Sequence, residues 1–116
     1  MSKPVFAYGS NMCSGRFRAY RVIPEHTGRA ALLSGYRLLF DKESTDGSGK
    51  ANLEPHGGSE TWGVTYLIPD GDLQKIDDGE VGYHRVLLPV MTANNTNVEA
   101  WVYIASAQRR NAALRP

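Results

Sequence analysis

Short apolar runs separated by polar turns predict that most of this chain folds as β-strands. Between Tyr36 and Asp41, for example, the side chains of Tyr36, Leu38 and Phe40 fall on one face, as a half-buried strand requires. The predicted strands are Val5–Tyr8, Arg29–Leu33, Tyr36–Asp41, Ala51–Pro55, Thr61–Leu67, Val86–Thr92 and Val98–Ile104.

The segments between these strands carry residues that favour turns and short helices. Ser34-Gly35 predicts a tight turn, and Asn94–Asn97 predicts a hairpin turn because asparagine tolerates left-handed backbone conformations. The polar segment Asp41–Lys50 predicts a mobile loop. Pro69–Ile76 predicts a short helix, and Met12–Tyr20 a second short helix or an irregular turn. Many short strands and few helices favour an α+β fold, a small β-barrel of mostly antiparallel strands with a few short flanking helices.

Length and charge narrow the class of protein. A chain of 116 residues suits a single domain, residues 1–116. Its net charge of +1 gives no electrostatic footprint for nucleic acid or for an anionic membrane, so neither partner is expected. Cys13 has no second cysteine with which to form an internal disulfide, and no apolar stretch reaches the roughly 18 residues of a membrane span. Without a signal region after Met1, a soluble cytoplasmic protein is expected.

The first candidate site follows the first predicted strand, at Tyr8-Gly9-Ser10-Asn11. Successive backbone N–H groups in such a turn can hold an anion, and glycine lets a ligand approach the main chain closely. The alternative is an ordinary strand-to-helix turn, in which the same residue types are common. The segment lacks the Gly-Lys-Ser/Thr ending of a phosphate-binding P-loop.

The second candidate is Glu80, at the end of an acidic turn. Leu73 and Ile76 can dock one helical face and so fix the direction in which this turn projects. A carboxylate held near apolar walls can act as a general base; the alternative is a solvated acidic turn. Tyr83 follows, either as a phenol that contacts a ligand or as a ring packed at a strand start with its hydroxyl in water. Arg85 is interpreted as a surface or ion-pair residue.

The remaining reactive residue types give no further site. His26, His56 and His84 lack metal-ligand spacing, so no metal is expected. Trp62, Trp101 and the tyrosines are most simply core residues.

Taken together and in order, these segments resemble the γ-glutamylcyclotransferase-like family. The resemblance covers nearly the whole chain, and each fragment is weaker than the ordered set. Its segments are Tyr8-Gly9-Ser10-Asn11, Tyr36–Phe40, Gly49–Pro55, Trp62–Tyr66, and Leu73-x-x-Ile76-Asp77-x-x-Glu80 with Gly82-Tyr83.

The resemblance implies an enzyme that uses neither a metal nor an organic cofactor. Members of the family fold as a small β-barrel with flanking helices and convert γ-glutamyl compounds into 5-oxoproline and a released amine, amino acid or peptide. By motif match, Glu80 would be the general acid/base. The substrate-binding residues would be Tyr8, Gly9, Ser10, Asn11 and Tyr83.

Two departures from the family pattern leave alternatives open. The segment between Glu80 and Gly82-Tyr83 is shorter than the usual linker, which makes Asp78 an alternative catalytic carboxylate. The helical segment with which the family usually continues is absent from this sequence, so the site is expected to be open or covered by a partner chain, and a homodimer is compatible with this. The alternative function is a non-catalytic small-molecule-binding or assembly domain. A half-buried Glu80 carboxylate that faces the Tyr8–Asn11 loop would favour the enzyme, and a fully solvated carboxylate that points away from that loop would favour the alternative.

Overall fold

The structure, a computed structural model, describes residues 2–8, 21–24, 28–43 and 49–106. These residues form five strands, a turn of 3-10 helix (Asp70–Asp72) and one α-helix. In chain order the elements are β1 (Ser2–Ala7), β2 (Arg29–Glu43), β3 (Gly49–Pro69), α1 (Leu73–Gly79), β4 (Tyr83–Thr92) and β5 (Asn97–Ala105). The second predicted helix, Met12–Tyr20, lies outside the described residues.

The five strands form one sheet in the order β1-β3-β2-β4-β5, and pairing of β5 with β1 closes that order on itself. The β5–β1 pairing is parallel, whereas the other four are antiparallel. Closure rests on two short ladders: Val5 and Phe6 face Trp101 and Val102, and Ala31 and Leu32 face Thr92 and Met91. The predicted class, a mostly antiparallel sheet with a short helix, is confirmed.

The tight turn predicted at Ser34-Gly35 is wrong, because β2 continues through both residues as a single strand. The pairing register with β3 shifts here: Ser34 faces Glu60, whereas Tyr36 faces Pro55. Gly35 has a φ of 83°, which only glycine adopts without strain, and it absorbs the irregularity as a bulge instead of reversing the chain. Residues 56–59 of β3 have no partners on β2. The predicted strands on either side of them, Ala51–Pro55 and Thr61–Leu67, nevertheless belong to one continuous strand.

The loop predicted for Asp41–Lys50 is shorter than expected. Both strands extend into it, with Lys42 paired to Lys50 and Glu43 to Gly49. Residues 44–48 lie outside the described residues. The hairpin turn predicted at Asn94–Asn97 is confirmed: Asn95 has a φ of 61°, and the Asn95 N–H donates to the Thr92 carbonyl at 3.0 Å.

Strand alternation divides the core into two clusters on opposite faces of the sheet. β1 shows the division directly, since Phe6 belongs to one cluster and its neighbours Val5 and Ala7 to the other. The inner cluster comprises Phe6, Tyr8, Ala31, Leu33, Ala51, Leu53, Val90, Ala100 and Val102. The outer cluster comprises Val5, Ala7, Val22, Tyr66, Ile68, Leu73, Ile76 and Tyr103. Through Leu73 and Ile76, α1 packs on the outer cluster, as the sequence predicts, and the turn after α1 is thereby fixed against the sheet.

The two tryptophans differ in burial. Trp101 is partly buried against the outer cluster. Trp62 is 66% exposed, so its prediction as a core residue is wrong. It alternates with Gly63, whose face is buried, and therefore projects from the other face of β3. No helix among the described residues is long and apolar enough to cross a membrane.

Candidate active site

Glu80 is buried directly after α1, with 5% of its surface exposed. Its N–H donates to the Ile76 carbonyl at 2.9 Å and closes the helix, while its own carbonyl accepts the Tyr83 N–H at 3.1 Å. The main chain on both sides of Glu80 is therefore held by hydrogen bonds. The interpretation of Glu80 as part of a solvated acidic turn is wrong, because the buried Leu73 and Ile76 seat this end of α1 on the sheet.

The alternative carboxylate, Asp78, lies in a different environment. Its side chain is exposed and accepts a hydrogen bond from Gln74 Nε2 at 2.8 Å, one helical turn earlier. An exposed carboxylate keeps its hydration and has little ability to exclude water from a reaction. Burial therefore favours Glu80 over Asp78 as the acid/base group.

Tyr8 fixes the point at which the candidate substrate loop begins. Its ring is 1% exposed and lies in the inner cluster, and its hydroxyl donates to the Tyr103 carbonyl. These contacts anchor the start of the loop to β5. Gly9, Ser10 and Asn11 lie outside the described residues.

Tyr83 begins β4 on the side of the sheet where α1 packs. Its ring contacts the outer cluster, and its hydroxyl donates to the Ala51 carbonyl at 2.6 Å. The alternative in which this hydroxyl points into water is therefore wrong. Because Ala51 belongs to the inner cluster, Tyr83 bridges the two sides of the sheet at this end.

Tyr103 connects the predicted site residues. Its carbonyl accepts the Tyr8 hydroxyl, and its own hydroxyl donates to Asp77 Oδ1 at 2.6 Å. Burial raises the pKa of the Tyr103 phenol well above its ordinary value, and the hydrogen bond and charge of Asp77 raise it further. The charge of Arg85 opposes this shift, whereas the charge of Glu80 adds to it. Tyr103 therefore links Tyr8, at the start of the candidate substrate loop, to Asp77 in the last turn of the helix that precedes Glu80.

Asp77 and Arg85 form a half-buried ion pair beside Tyr103. Arg85 Nε donates to Asp77 Oδ1 at 2.9 Å, and Nη2 donates to Oδ2 at 3.0 Å. The guanidinium also lies over the Trp101 ring, with Cζ 4.4 Å from the ring centroid. The interpretation of Arg85 as an ion-pair residue is confirmed, and the two-point geometry fixes α1 to β4.

A surface pocket of about 430 Å³ lies next to this ion pair. Its lining residues are Asp77, Tyr83, His84, Arg85 and Trp101. The volume suits a small molecule. Glu80 and Tyr8 do not line it, so the pocket borders the candidate active site through Asp77 and Tyr83 without containing the carboxylate. Within the described ranges, no group of His, Cys, Asp and Glu side chains could hold a metal ion.

Sequence reasoning missed two residues that organise this region. Asn52 is fully buried, and its Oδ1 accepts the Ala105 N–H at 2.8 Å, linking β3 to the end of β5. Tyr103 was interpreted only as core, although its hydroxyl binds Asp77. Asn52 lies inside the Gly49–Pro55 motif of the family resemblance, which was the signal that could have identified it. The sequence contains no such signal for Tyr103, since its hydrogen-bond partners are far away along the chain.

The environment of Tyr103 predicts a loss of stability in alkaline solution. A phenol whose pKa is raised by folding contributes stability that is fully present below its unfolded pKa of about 10 and is lost as pH rises further. Wild type should therefore lose stability relative to Tyr103→Phe above about pH 10, by up to about 1.4 kcal/mol per pH unit. Urea unfolding of both proteins at several alkaline pH values measures the difference. Parallel stability curves would contradict the assignment.

The family model "Gamma-glutamyl cyclotransferase, AIG2-like" matches residues 5–116. The chain belongs to this family. No curated protein sequence matches it.

Solved structures similar to this gamma-glutamyl cyclotransferase family member share its fold. One, named "Gamma-glutamyl cyclotransferase", is 23% identical with a TM-score of 0.80, over 91% of this chain and 68% of its own. An uncharacterized protein from Homo sapiens is 24% identical with a TM-score of 0.76, over 90% and 67%. An AIG2-like protein from Mus musculus is 18% identical with a TM-score of 0.71, over 99% and 84%. At these identities the similarity shows the fold alone.

Proposed function

We propose that this protein is a cyclotransferase that converts a γ-glutamyl compound into 5-oxoproline and a released amine, amino acid or peptide. The observation that carries the proposal is the burial of Glu80, in a member of this family, at the end of the helix whose Asp77 binds Tyr103, the residue that anchors Tyr8. A non-catalytic binding or assembly domain is the alternative, and a fully solvated carboxylate that points away from the Tyr8–Asn11 segment would favour it. The 5% exposure of Glu80 favours the enzyme.

The reaction requires no covalent bond between the protein and the substrate. A γ-glutamyl group carries its own nucleophile, the α-amine, and its own electrophile, the γ-carbonyl carbon. Because both belong to one molecule, ring closure is intramolecular, and the protein has mainly to hold the substrate folded back on itself. Correct placement of reacting groups can lower a barrier by about 7–11 kcal/mol. The closed sheet would serve as the small barrel that supports this placement.

Glu80 would carry the proton through the reaction. The α-amine must be neutral to attack, and an α-ammonium group releases its proton near pH 8. Glu80 accepts that proton as the N–C bond of the five-membered ring forms. It then donates a proton to the departing nitrogen as the original amide bond breaks. The products are the cyclic amide 5-oxoproline and the free amine, and no water is consumed.

The Tyr8–Asn11 segment would hold the substrate. Backbone N–H groups at Gly9, Ser10 and Asn11 would bind the α-carboxylate or the oxyanion that develops on the γ-carbonyl oxygen. Tyr8 would set where this segment starts, through its hydrogen bond to β5. Tyr83, whose N–H donates to the Glu80 carbonyl, would line the cavity in which this segment holds the substrate.

Product analysis in isotopic water tests the reaction. Wild-type protein would be incubated with γ-glutamyl dipeptides, γ-glutamyl-lysine and glutathione in H₂¹⁸O, and the products measured by mass spectrometry. Cyclotransfer predicts 5-oxoproline without ¹⁸O, since water does not take part. Glutamate carrying ¹⁸O would show hydrolysis instead. Binding of these compounds with no product from any of them would favour the non-catalytic alternative.

A further inference from the structure

Asp77 is the point at which one helix and two strands are joined near Glu80. It belongs to the last turn of α1, and it accepts two hydrogen bonds from Arg85 on β4 and one from Tyr103 on β5. Asp77 precedes Glu80 by three residues, a spacing that brings both to the same side of the helix end. Its contacts therefore control how the turn that carries Glu80 sits on the sheet.

Only a carboxylate meets all of these contacts. Arg85 and Tyr103 present three donors, Nε–H, Nη2–H and O–H, and a carboxylate accepts at both of its oxygens. An asparagine would replace one oxygen by an NH₂ group and place a donor against one of those donors. It would also leave the half-buried Arg85 guanidinium without its countercharge.

We propose that Asp77 is a positioning residue, which holds Arg85 and Tyr103 and thereby fixes the carboxylate of Glu80 for proton transfer. The inference rests on the proposed cyclotransferase function and extends it to a residue that does not touch the substrate. Tyr103 is the more informative partner. Its hydroxyl binds Asp77 while its carbonyl separately holds Tyr8, so Tyr103→Phe removes the first contact and keeps the second.

Turnover kinetics of Asp77→Asn, Tyr103→Phe and the double variant test the proposal. We expect kcat to fall about tenfold in Asp77→Asn and about threefold in Tyr103→Phe, with little change in KM because the Tyr8 anchor is retained. In the Asp77→Asn background, Tyr103→Phe should have a smaller effect than in wild type, since the amide keeps only one acceptor oxygen and has lost the charge that Arg85 and Tyr103 bind. Glu54→Gln is the matched control: it disrupts a comparable ion pair, with Arg37 on β2, and should leave kcat unchanged.

Hydrogen exchange separates this proposal from the proposed function. The Glu80 N–H, which bonds to the Ile76 carbonyl, should lose protection in Asp77→Asn and Tyr103→Phe but keep it in Glu54→Gln. Unchanged protection, or equal effects of Tyr103→Phe in both backgrounds, would overturn the positioning role. Lost protection in a protein whose wild type releases no 5-oxoproline would show that Asp77 fixes the turn that carries Glu80, while rejecting the proposed enzyme. A purely structural role predicts a lower melting temperature with unchanged kcat per folded molecule.

Discussion

Replacing Glu80 with Gln should lower kcat for 5-oxoproline release by about 10²–10⁴-fold, the usual contribution of a positioned general acid/base. Glutamine keeps the shape of the side chain but cannot accept the proton of the α-amine or return one to the departing nitrogen. KM should change much less, because the substrate would be held mainly by the Tyr8–Asn11 segment. Steady-state kinetics, with 5-oxoproline measured by mass spectrometry, gives both constants.

Asp78→Asn provides the comparison for this experiment. The Asp78 side chain is exposed and hydrogen-bonded to Gln74, so its loss should leave kcat within about twofold of wild type. A large loss in Asp78→Asn with activity retained in Glu80→Gln would assign the proton transfer to Asp78 instead. Circular dichroism and urea unfolding of Glu80→Gln show whether a loss of activity occurs in folded protein.

Much of the fold could be predicted because it depends on local pattern. The strand positions follow from alternation, and the hairpin at Asn94–Asn97 follows from the tolerance of Asn95 for a positive φ. The tight turn predicted at Ser34-Gly35 was wrong because a glycine with positive φ fits a tight turn and a bulge equally well. Which of the two forms depends on the pairing with β3. The prediction that Trp62 is a core residue was wrong because alternation identifies which residues share a face of a strand. It does not show how much of that face another element covers.

The residues of the candidate site likewise differ in whether local sequence pattern could predict them. Glu80 could be singled out because Leu73 and Ile76 predict the docked helix that carries it, and because its motif resembles that of a known family. Tyr103 could not be singled out in this way. Its hydroxyl binds Asp77, 26 positions away in the sequence, and its carbonyl binds Tyr8, 95 positions away. Contacts across a closed sheet depend on strand order and register, which the pattern of one strand does not specify.

Gly63→Ala is expected to cause the largest loss of stability, about 3 kcal/mol, at the upper end of what overpacking a core costs. A Cβ at Gly63 would lie 2.5 Å from Phe6 Cζ and closer still to the Ala7 carbonyl oxygen. The Phe6 ring is buried in the inner cluster, and the Ala7 carbonyl belongs to backbone paired with β3. Neither atom can move away without disturbing the contact between β1 and β3.

Gly57→Ala is the matched control for this prediction, because a Cβ there meets no atom within 4 Å, so its stability should change by about 0.5 kcal/mol or less. Urea unfolding of both variants measures the contrast, and equal stabilities would contradict the crowding around Gly63. The consequence also reaches the candidate site, since Ala7 directly precedes Tyr8. A methyl group that displaces the Ala7 carbonyl shifts the start of the substrate-binding segment. Gly63→Ala protein that remains folded should therefore show a raised KM, whereas Gly57→Ala should keep the wild-type value.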